Sequence, residues 1–225
     1  MKRISILFIL FACVIPSCER DKYENFTGDS GTFIDSRDAQ EYKWVRIGDQ
    51  IWMAENLNYD TVYGSWVYES LIYDTINERW VRVKDLSNAE IYGRLYNWET
   101  ACKLCPAGFH LPDSLDWEKL IAFLGGYSIA GGKMKESGFT HWNSPNEGAS
   151  NESSFSALPG GLKLKPHPID LDPGEFRRIG IAAYFWSNMI GPHPYCRELN
   201  YENTTVKNYV RFTEEGLSVR CLKDE

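Results

Sequence analysis

The sequence lacks a long basic run, an internal repeat and the common signatures of catalysis. The formal net charge of the 225 residues is −7, which argues against a nucleic-acid surface. No Gly-x-Ser-x-Gly nucleophile elbow is present. Histidine is scarce, and the four are His110, His141, His167 and His193. None stands in a pattern that supplies a nucleophile with a base, so we predict that the chain is not an enzyme and carries no cofactor.

A membrane-spanning apolar run is also missing, but a shorter one opens the chain. Lys2 and Arg3 precede ISILFILFACVIP, which is too short to span a bilayer comfortably and is typical of an export signal. The sequence IPSC at its end resembles a bacterial lipobox, and an ordinary cleaved signal is the alternative. We therefore predict a lipoprotein signal peptide over residues 1–17, a lipid on Cys18 and a flexible tether over residues 18–32.

This leader predicts a protein anchored to the outer membrane by lipid, facing the periplasm or the cell surface. Acidic residues follow Cys18 at once, as Glu19 and Asp21. They resemble the surface-export signal of Bacteroidetes lipoproteins. The membrane, reached through the lipid, is thus the first predicted partner.

Four cysteines remain once the leader is set aside, at positions 102, 105, 196 and 221. An even number in an exported protein predicts two disulfides, and the residues alone leave all three pairings open. Cys102 and Cys105 form a CxxC, but the second pair that a zinc site requires is missing. A redox CxxC favours a helix N-terminus, whereas this one follows a predicted helix.

Hydrophobic periodicity predicts two helices among short strands. Residues 42–47 and 50–55 favour β structure and flank Gly48-Asp49, which suits a tight hairpin. A short helix is predicted over residues 96–102. The best-marked helix begins at an Asp113 cap and ends at Gly125-Gly126. Its apolar stripe consists of Trp117, Leu120, Ile121 and Leu124.

The remaining chain predicts further strands around a loop-rich centre. Residues 60–92 are interpreted as irregular strands and loops, and residues 126–175 as a long loop region. The predicted later strands cover residues 179–187, 197–201, 206–212 and 217–222. The last two are expected to form a hairpin through residues 213–216. Together these elements predict an α+β fold.

Six short motifs occur in a fixed order along the chain. They are YGRLYNW at 92–98, CPAGFHLP at 105–112, DW at 116–117, NESSFSALPGG at 151–161, FWS at 185–187 and GLSVRC at 216–221. In this order they resemble the Fibrobacter succinogenes major paralogous domain, over residues 33–225. That family occurs in exported proteins and lipoproteins and has no well-established activity.

The family is similar in turn to C-type lectins and to the formylglycine-generating enzyme. The resemblance implies two helices packed on short twisted antiparallel sheets, with a long loop region. It also implies disulfides joining Cys105 to Cys221 and Cys102 to Cys196. Formylglycine-generating enzymes hold copper with two cysteines. The segment around Cys196 loosely resembles one of theirs, but the partner position five residues earlier is Gly191.

Binding remains as the predicted role, with candidates in the loops. Trp66, Trp80 and Trp142 lie in predicted loops and offer aromatic faces for sugars or proteins, or else pin the loops to the core. Oxygen-bearing side chains near the NESSFSALPGG segment are candidate calcium ligands, and these are Asn146, Glu147, Asn151 and Glu152. The segment itself is interpreted chiefly as a core strand entering a glycine turn.

We therefore predict an envelope-anchored, non-catalytic module that binds a glycan or an envelope protein. Two alternatives remain from the residues and the resemblance. One is an enzyme-like domain of the formylglycine-generating type, and the other is a structural component of the envelope.

Overall fold

A computed structural model describes residues 26–166, 175–188 and 193–225. The predicted signal peptide, Cys18 and His167 lie outside these residues. The strands are β1 Ser30–Ile34, β2 Glu41–Ile47, β3 Gln50–Met53, β4 Ser65–Trp66, β5 Glu69–Asp74, β6 Arg79–Lys84, β7 Leu95–Tyr96, β8 Phe109–His110, β9 Gly160–Lys163, β10 Phe176–Ile179, β11 Ala182–Ser187, β12 Tyr195–Asn200, β13 Lys207–Val210 and β14 Leu222–Lys223. The helices are α1 Leu86–Tyr92, α2 Trp98–Ala101, α3 Ser114–Phe123 and α4 Ala130–Met134.

Two five-stranded sheets form the frame of this mixed α+β fold. The first has the order β1-β2-β3-β14-β8, and the second has the order β10-β9-β11-β12-β13. Pairs β4-β7 and β5-β6 form small separate sheets. The predicted hairpin is confirmed, since β2 and β3 pair antiparallel around Gly48, whose φ of 65° suits glycine.

Strand β11 lies at the centre and is buried on both faces. Because side chains alternate along a strand, Tyr184 and Trp186 pack in one hydrophobic cluster while Ala183 and Phe185 pack in the other. This double burial explains why the strand was recognisable as a continuous apolar run.

Helix α3 confirms the best-marked prediction. Asp113 accepts hydrogen bonds from the backbone of Leu115 and Asp116 at 2.7 and 3.0 Å, and the Asp116 carboxylate accepts one from the Asp113 backbone at 2.9 Å. This is a reciprocal capping box. All four residues of the predicted apolar stripe are buried.

The C-terminal prediction was wrong in its pairing. Residues 217–222 do not return along β13, which instead pairs with β12. The segment makes isolated bridges from Leu217 to Tyr96 and from Ser218 to Phe185, and only its end enters β14. It runs between the two sheets, and every side chain from Leu217 to Leu222 is buried.

Several elements were not predicted, among them helix α1 within residues 60–92 and strand β1, which begins inside the predicted tether. Residues 69–84 form the β5-β6 hairpin, and helix α4 lies within the predicted loop region. Glycines favour neither helices nor regular patterns, so the sequence of α4, AGGKM, gave no signal. Among the described residues, no helix has the length and apolar character needed to cross a membrane.

Candidate functional site

The NESSFSALPGG segment is folded against itself and against the core. Asn151 and Ser156 bond reciprocally, since the Asn151 side chain both donates to Ser156 Oγ and accepts from the Ser156 backbone at 2.9 Å. Phe155 between them is fully buried against Trp52, Trp117 and Phe185. The interpretation of this segment as scaffolding is therefore supported at Phe155, while its serines reach the surface. The predicted core strand before the glycines was wrong, since Ala157 makes a single bridge to Lys135 and β9 begins at Gly160.

Arg220 binds the backbone of this segment from the protein interior. Its side chain is fully buried and donates to the carbonyl oxygens of Met53, Phe155 and Ser156 and to Asn56 Oδ1. The Nη2 to Ser156 and Nε to Asn56 distances are 2.9 and 2.6 Å. Burial lowers the pKa of Arg220 from its ordinary value, since its contacts are neutral oxygens.

Lys135 plays the same part for backbone near Glu147 and for the end of β12 and the residues after it. Its ammonium is fully buried and donates to the carbonyl oxygens of Glu147, Asn200 and Asn203 at 2.9, 2.9 and 3.0 Å. It also lies 5.5 Å from the centre of the Trp142 ring. Burial lowers the pKa of Lys135 to about 8. The loop carbonyls thus converge on a cation that the protein itself supplies.

The calcium candidates use part of their polar atoms in other contacts, while the Asn146 Oδ1 atom is buried without a hydrogen-bond partner among the described residues. Asn146 donates to the carbonyls of Glu136 and Gly138, and Glu147 offers its carbonyl to Lys135. Asn151 is bonded to Ser156 as described above. Residues 26–166, 175–188 and 193–225 contain no group of three or more His, Cys, Asp or Glu arranged to hold a metal ion. The calcium site therefore gains no support from a carboxylate cluster and stays a prediction.

The three tryptophans predicted as binding candidates differ in burial and in their contacts. Trp142 is only 1% exposed and donates from Nε1 to the Ala157 carbonyl at 3.0 Å, so its proposed role as an exposed platform was wrong. It pins a loop to the core. Trp66 is half-buried with Lys163 Nζ 4.6 Å from its ring centre. Trp80 belongs to β6, and its side chain lies outside the described set.

One of the two implied disulfides is present. Cys105 and Cys221 are joined across 116 residues, which links the turn after α2 to the start of β14. Cys102 and Cys196 are free thiols, so that implied pairing was wrong. Cys102 Sγ lies 4.0 Å from Asn188 Oδ1, whereas Cys196 is buried on β12 beside Arg211. Burial raises the pKa of both thiols to about 11.

A groove of about 630 Å³ opens beside the first sheet. We call it the β1 groove. Its walls are β1, β2, the residues after β3, the end of α1 and the NESSFSALPGG segment. The lining residues are Ser30, Gly31, Thr32, Gln40, Glu41, Tyr42, Lys43, Trp44, Val45, Ala54, Glu55, Asn56, Asn58, Ala89, Glu90, Ile91, Gly93, Glu136, Ser154, Ser156 and Leu158.

Carboxylates dominate the charge of the β1 groove. Four glutamates line it against one lysine, Lys43, which pairs with Glu55 at 2.9 Å. Glu136 contacts His141 Nδ1 through both oxygens, at 3.0 and 2.9 Å. The other two carboxylates, of Glu41 and Glu90, have no partner among the described residues and are exposed. The groove is therefore suited to a cationic or hydroxyl-rich ligand.

Another cavity of about 630 Å³ lies at the C-terminus. His110 stands between two carboxylates there, with Nδ1 2.7 Å from Asp224 Oδ1 and Nε2 3.3 Å from Asp116 Oδ2. These contacts tie the end of the chain to α3. His110 is thus a structural link between the C-terminus and α3.

Comparison with models of known families identifies the family of this chain. The model of the Fibrobacter succinogenes major domain matches residues 45–223, which is most of the chain. The chain belongs to this family. No curated protein and no solved structure matches it. The residues that match the Fibrobacter succinogenes major domain begin inside β2. Strand β1, which forms one wall of the groove, therefore lies outside the matched residues.

The buried cations Lys135 and Arg220 were missed in the sequence, although Arg220 stands in a quoted motif. Arg220 lies in GLSVRC between Val219 and Cys221, and a charge flanked by apolar residues is a signal of a buried, bonded cation. Lys135 gave no comparable signal, because the carbonyls that it binds come from residues 12, 65 and 68 positions away.

Proposed function

We propose that this protein is a lipid-anchored envelope module that binds its ligand in the β1 groove without transforming it. The observation that supports this proposal is the groove itself. It has a volume of about 630 Å³, opens to solvent and is lined by polar and acidic side chains. The ligand is a glycan or a segment of an envelope protein.

The walls of the groove are held rigidly, which favours binding because little ordering is required when a ligand enters. Arg220 fixes the backbone of Phe155 and Ser156 on one wall. The Cys105–Cys221 disulfide lies away from the groove lining and stabilises the fold as a whole, by about 4–5 kcal/mol in the chain-entropy account for a separation of 116 residues.

The location follows from the leader. The basic start, the apolar run and the IPSC sequence support lipidation of Cys18 and attachment to the outer membrane. The family match supports the further proposal that the domain is C-type-lectin-like, with helices α2 and α3 against short sheets and the loops above them.

A binding comparison tests this proposal. The exported protein and a variant with Glu41→Gln and Glu90→Gln are applied to a glycan array and to solubilised envelope. A ligand retained by the native protein and weakened in the variant supports binding in the groove. No ligand on either support assigns the protein to the structural components of the envelope instead.

One observation favours the alternative of a formylglycine-generating type of enzyme. Cys196 is a free thiol, as that chemistry requires. However, the Cys196 thiol is fully buried, and a copper site held by two cysteines needs a second thiolate. Titration with Cu(I) decides between the two. Stoichiometric uptake that is lost in Cys196→Ser would replace the binding module by the enzyme, and no uptake supports the binding module.

A further inference from the structure

One face of the second sheet carries a cavity of about 340 Å³, which we call the arginine cavity. It shares no lining residue with the β1 groove. All five strands of the sheet contribute to its lining. Leu162 and Tyr184 form its floor, since both are buried in the same hydrophobic cluster. Arg177 lies opposite Leu162 and Glu198 lies opposite Tyr184, so these side chains project from the same face as the floor.

Three arginines line the arginine cavity against one carboxylate. Arg177 pairs with Glu175 at 2.6 Å. Arg178 is exposed, and its guanidinium makes no hydrogen bond or ion pair with the part of the chain that the structure describes. Arg211 Nη1 lies 3.7 Å from Glu215 Oε1, beyond hydrogen-bonding distance, and Arg211 Nε is buried without a described partner. Because a buried donor without an acceptor is unfavourable, an anionic ligand that supplies acceptors is favoured here.

Aromatic rings hold the Arg211 guanidinium in place and extend the surface beside it. The guanidinium carbon lies 5.0 Å from the centre of the Tyr184 ring and 6.0 Å from that of Tyr209. These cation–π contacts orient the guanidinium before any ligand arrives, which reduces the entropy that binding costs. Tyr209 is 40% exposed, so its ring is accessible to the apolar face of a sugar.

The spacing of the arginines favours a ligand with repeated negative charges. Arg177 and Arg178 lie on β10, and Arg211 directly follows β13, at the opposite edge of the sheet. Four strand spacings amount to about 19 Å in a flat sheet. A single carboxylate does not reach both edges, whereas a polymer with a carboxylate on each sugar does. Glu198, which is 6% exposed, repels a dianion such as sulfate more strongly than it repels a carboxylate.

We propose that the arginine cavity binds an acidic glycan, which is a polymer of sugars with successive carboxylates. The guanidinium groups bind the carboxylates through paired N–H donors, and Tyr209 packs against a sugar face. This inference goes beyond the proposed function, because it assigns a separate site on the other sheet. Either site can therefore fail its test without the other.

The probe is trigalacturonate, which carries one carboxylate on each sugar, and isothermal titration calorimetry measures its binding to the exported protein. Arg178→Asn removes the unpaired guanidinium, and asparagine suits the φ of 68° at this position. We expect this change to weaken binding about tenfold or more. The matched control is Arg79→Asn, at an exposed arginine of β6 outside the cavity, and it should leave binding unchanged.

Further measurements separate the charges of the ligand from its sugar rings. The fully methyl-esterified trimer keeps the rings but loses the charges, so it should not bind. Added salt should weaken binding of the charged trimer, because the arginines are accessible to solvent. Tyr209→Ala should weaken binding about fivefold through the lost ring contact. Circular dichroism and thermal melting confirm that each variant is folded.

Several results would overturn the proposal. Absence of trimer binding, or equal binding by the native protein and Arg178→Asn, would exclude the site. A polyglutamate peptide that binds with the same affinity and the same dependence on Arg178 would assign the cavity to an acidic protein segment. Trimer binding that is lost when Glu41→Gln and Glu90→Gln are introduced would assign the trimer to the β1 groove instead.

Discussion

Lys135 and Arg220 show how single buried side chains can organise irregular backbone. Each binds carbonyl oxygens from separate segments, and neither has a carboxylate among its hydrogen-bond partners. A buried charge is costly unless hydrogen bonds replace its hydration. Here the carbonyls do so, and their own need for donors is met at the same time. The loops and the cations are therefore stable only together.

Replacing Lys135 by Met tests this dependence. Three carbonyls lose their donor, at about 1–3 kcal/mol each, while the desolvation of the ammonium is recovered, so we expect a net loss of about 2–3 kcal/mol at pH 7. Chemical denaturation measures the free energy of unfolding. Lys133→Met is the matched control, because Lys133 makes an exposed ion pair with Glu152 at 3.2 Å. Equal stability of the two variants would contradict the assignment.

The pH dependence of the same comparison gives an independent check. The pKa of Lys135 falls from 10.5 to about 8 on folding, so the unfolded chain binds more protons between these values. Native stability relative to Lys135→Met should therefore increase as the pH rises from 8 to 10. A difference that decreases over this interval would contradict the buried, lowered-pKa ammonium.

Arg220→Lys is expected to lower stability by about 3–4 kcal/mol, although the charge is kept. Lysine cannot reach Asn56 and the carbonyls of Met53, Phe155 and Ser156 together, because only the guanidinium presents donors in a planar fork. Denaturation by urea measures the change. The control is Arg177→Lys, at an exposed arginine, where a change beyond about 0.5 kcal/mol is not expected.

At the scale of elements, α3 was predicted well because its signals are local. Asp113, the apolar stripe and the two glycines lie within fourteen residues, and all act within the helix. The β5-β6 hairpin was missed because its turn, at Thr75–Glu78, contains neither Gly nor Pro, and Glu78 adopts a φ of 50°. The signal of this turn is instead the pair Asp74 and Asn77, whose side chains bond at 2.7 Å, and it was not recognised in the sequence.

Removing the α3 cap tests the most predictable element. Asp113→Ala deletes both hydrogen bonds to the first turn and should lower the free energy of unfolding by about 1 kcal/mol. Asp113→Asn keeps a side-chain acceptor and should stay within a few tenths of a kcal/mol of the native value. Similar losses in the two variants would mean that the carboxylate charge, and not the cap, is important.

At the scale of the whole molecule, the candidate site depends on contacts that sequence reasoning could not supply. The β1 groove joins residues 30–32, 54–58, 89–93 and 154–158, which no local pattern connects. The segment from Leu217 to Leu222 predicted one strand of a hairpin because it is rich in β-forming residues. Its partners lie on several strands of both sheets, so the motif was recognised correctly while its pairing was not.

The buried tyrosines determine how the stability of the whole fold changes at high pH. Burial raises the pKa of Tyr42, Tyr96 and Tyr184 above 10, so the native state holds protons that the unfolded chain releases, and stability is lost as the pH rises beyond about 10. The loss from the three tyrosines should outweigh the opposite effect of Lys135 and Arg220, whose pKa values burial lowers. Tyrosinate absorbance should therefore rise together with loss of circular dichroism, in one cooperative step. Tyr184→Phe should flatten the pH dependence by about one proton. Ionisation of all three tyrosines with the circular dichroism unchanged would contradict their burial.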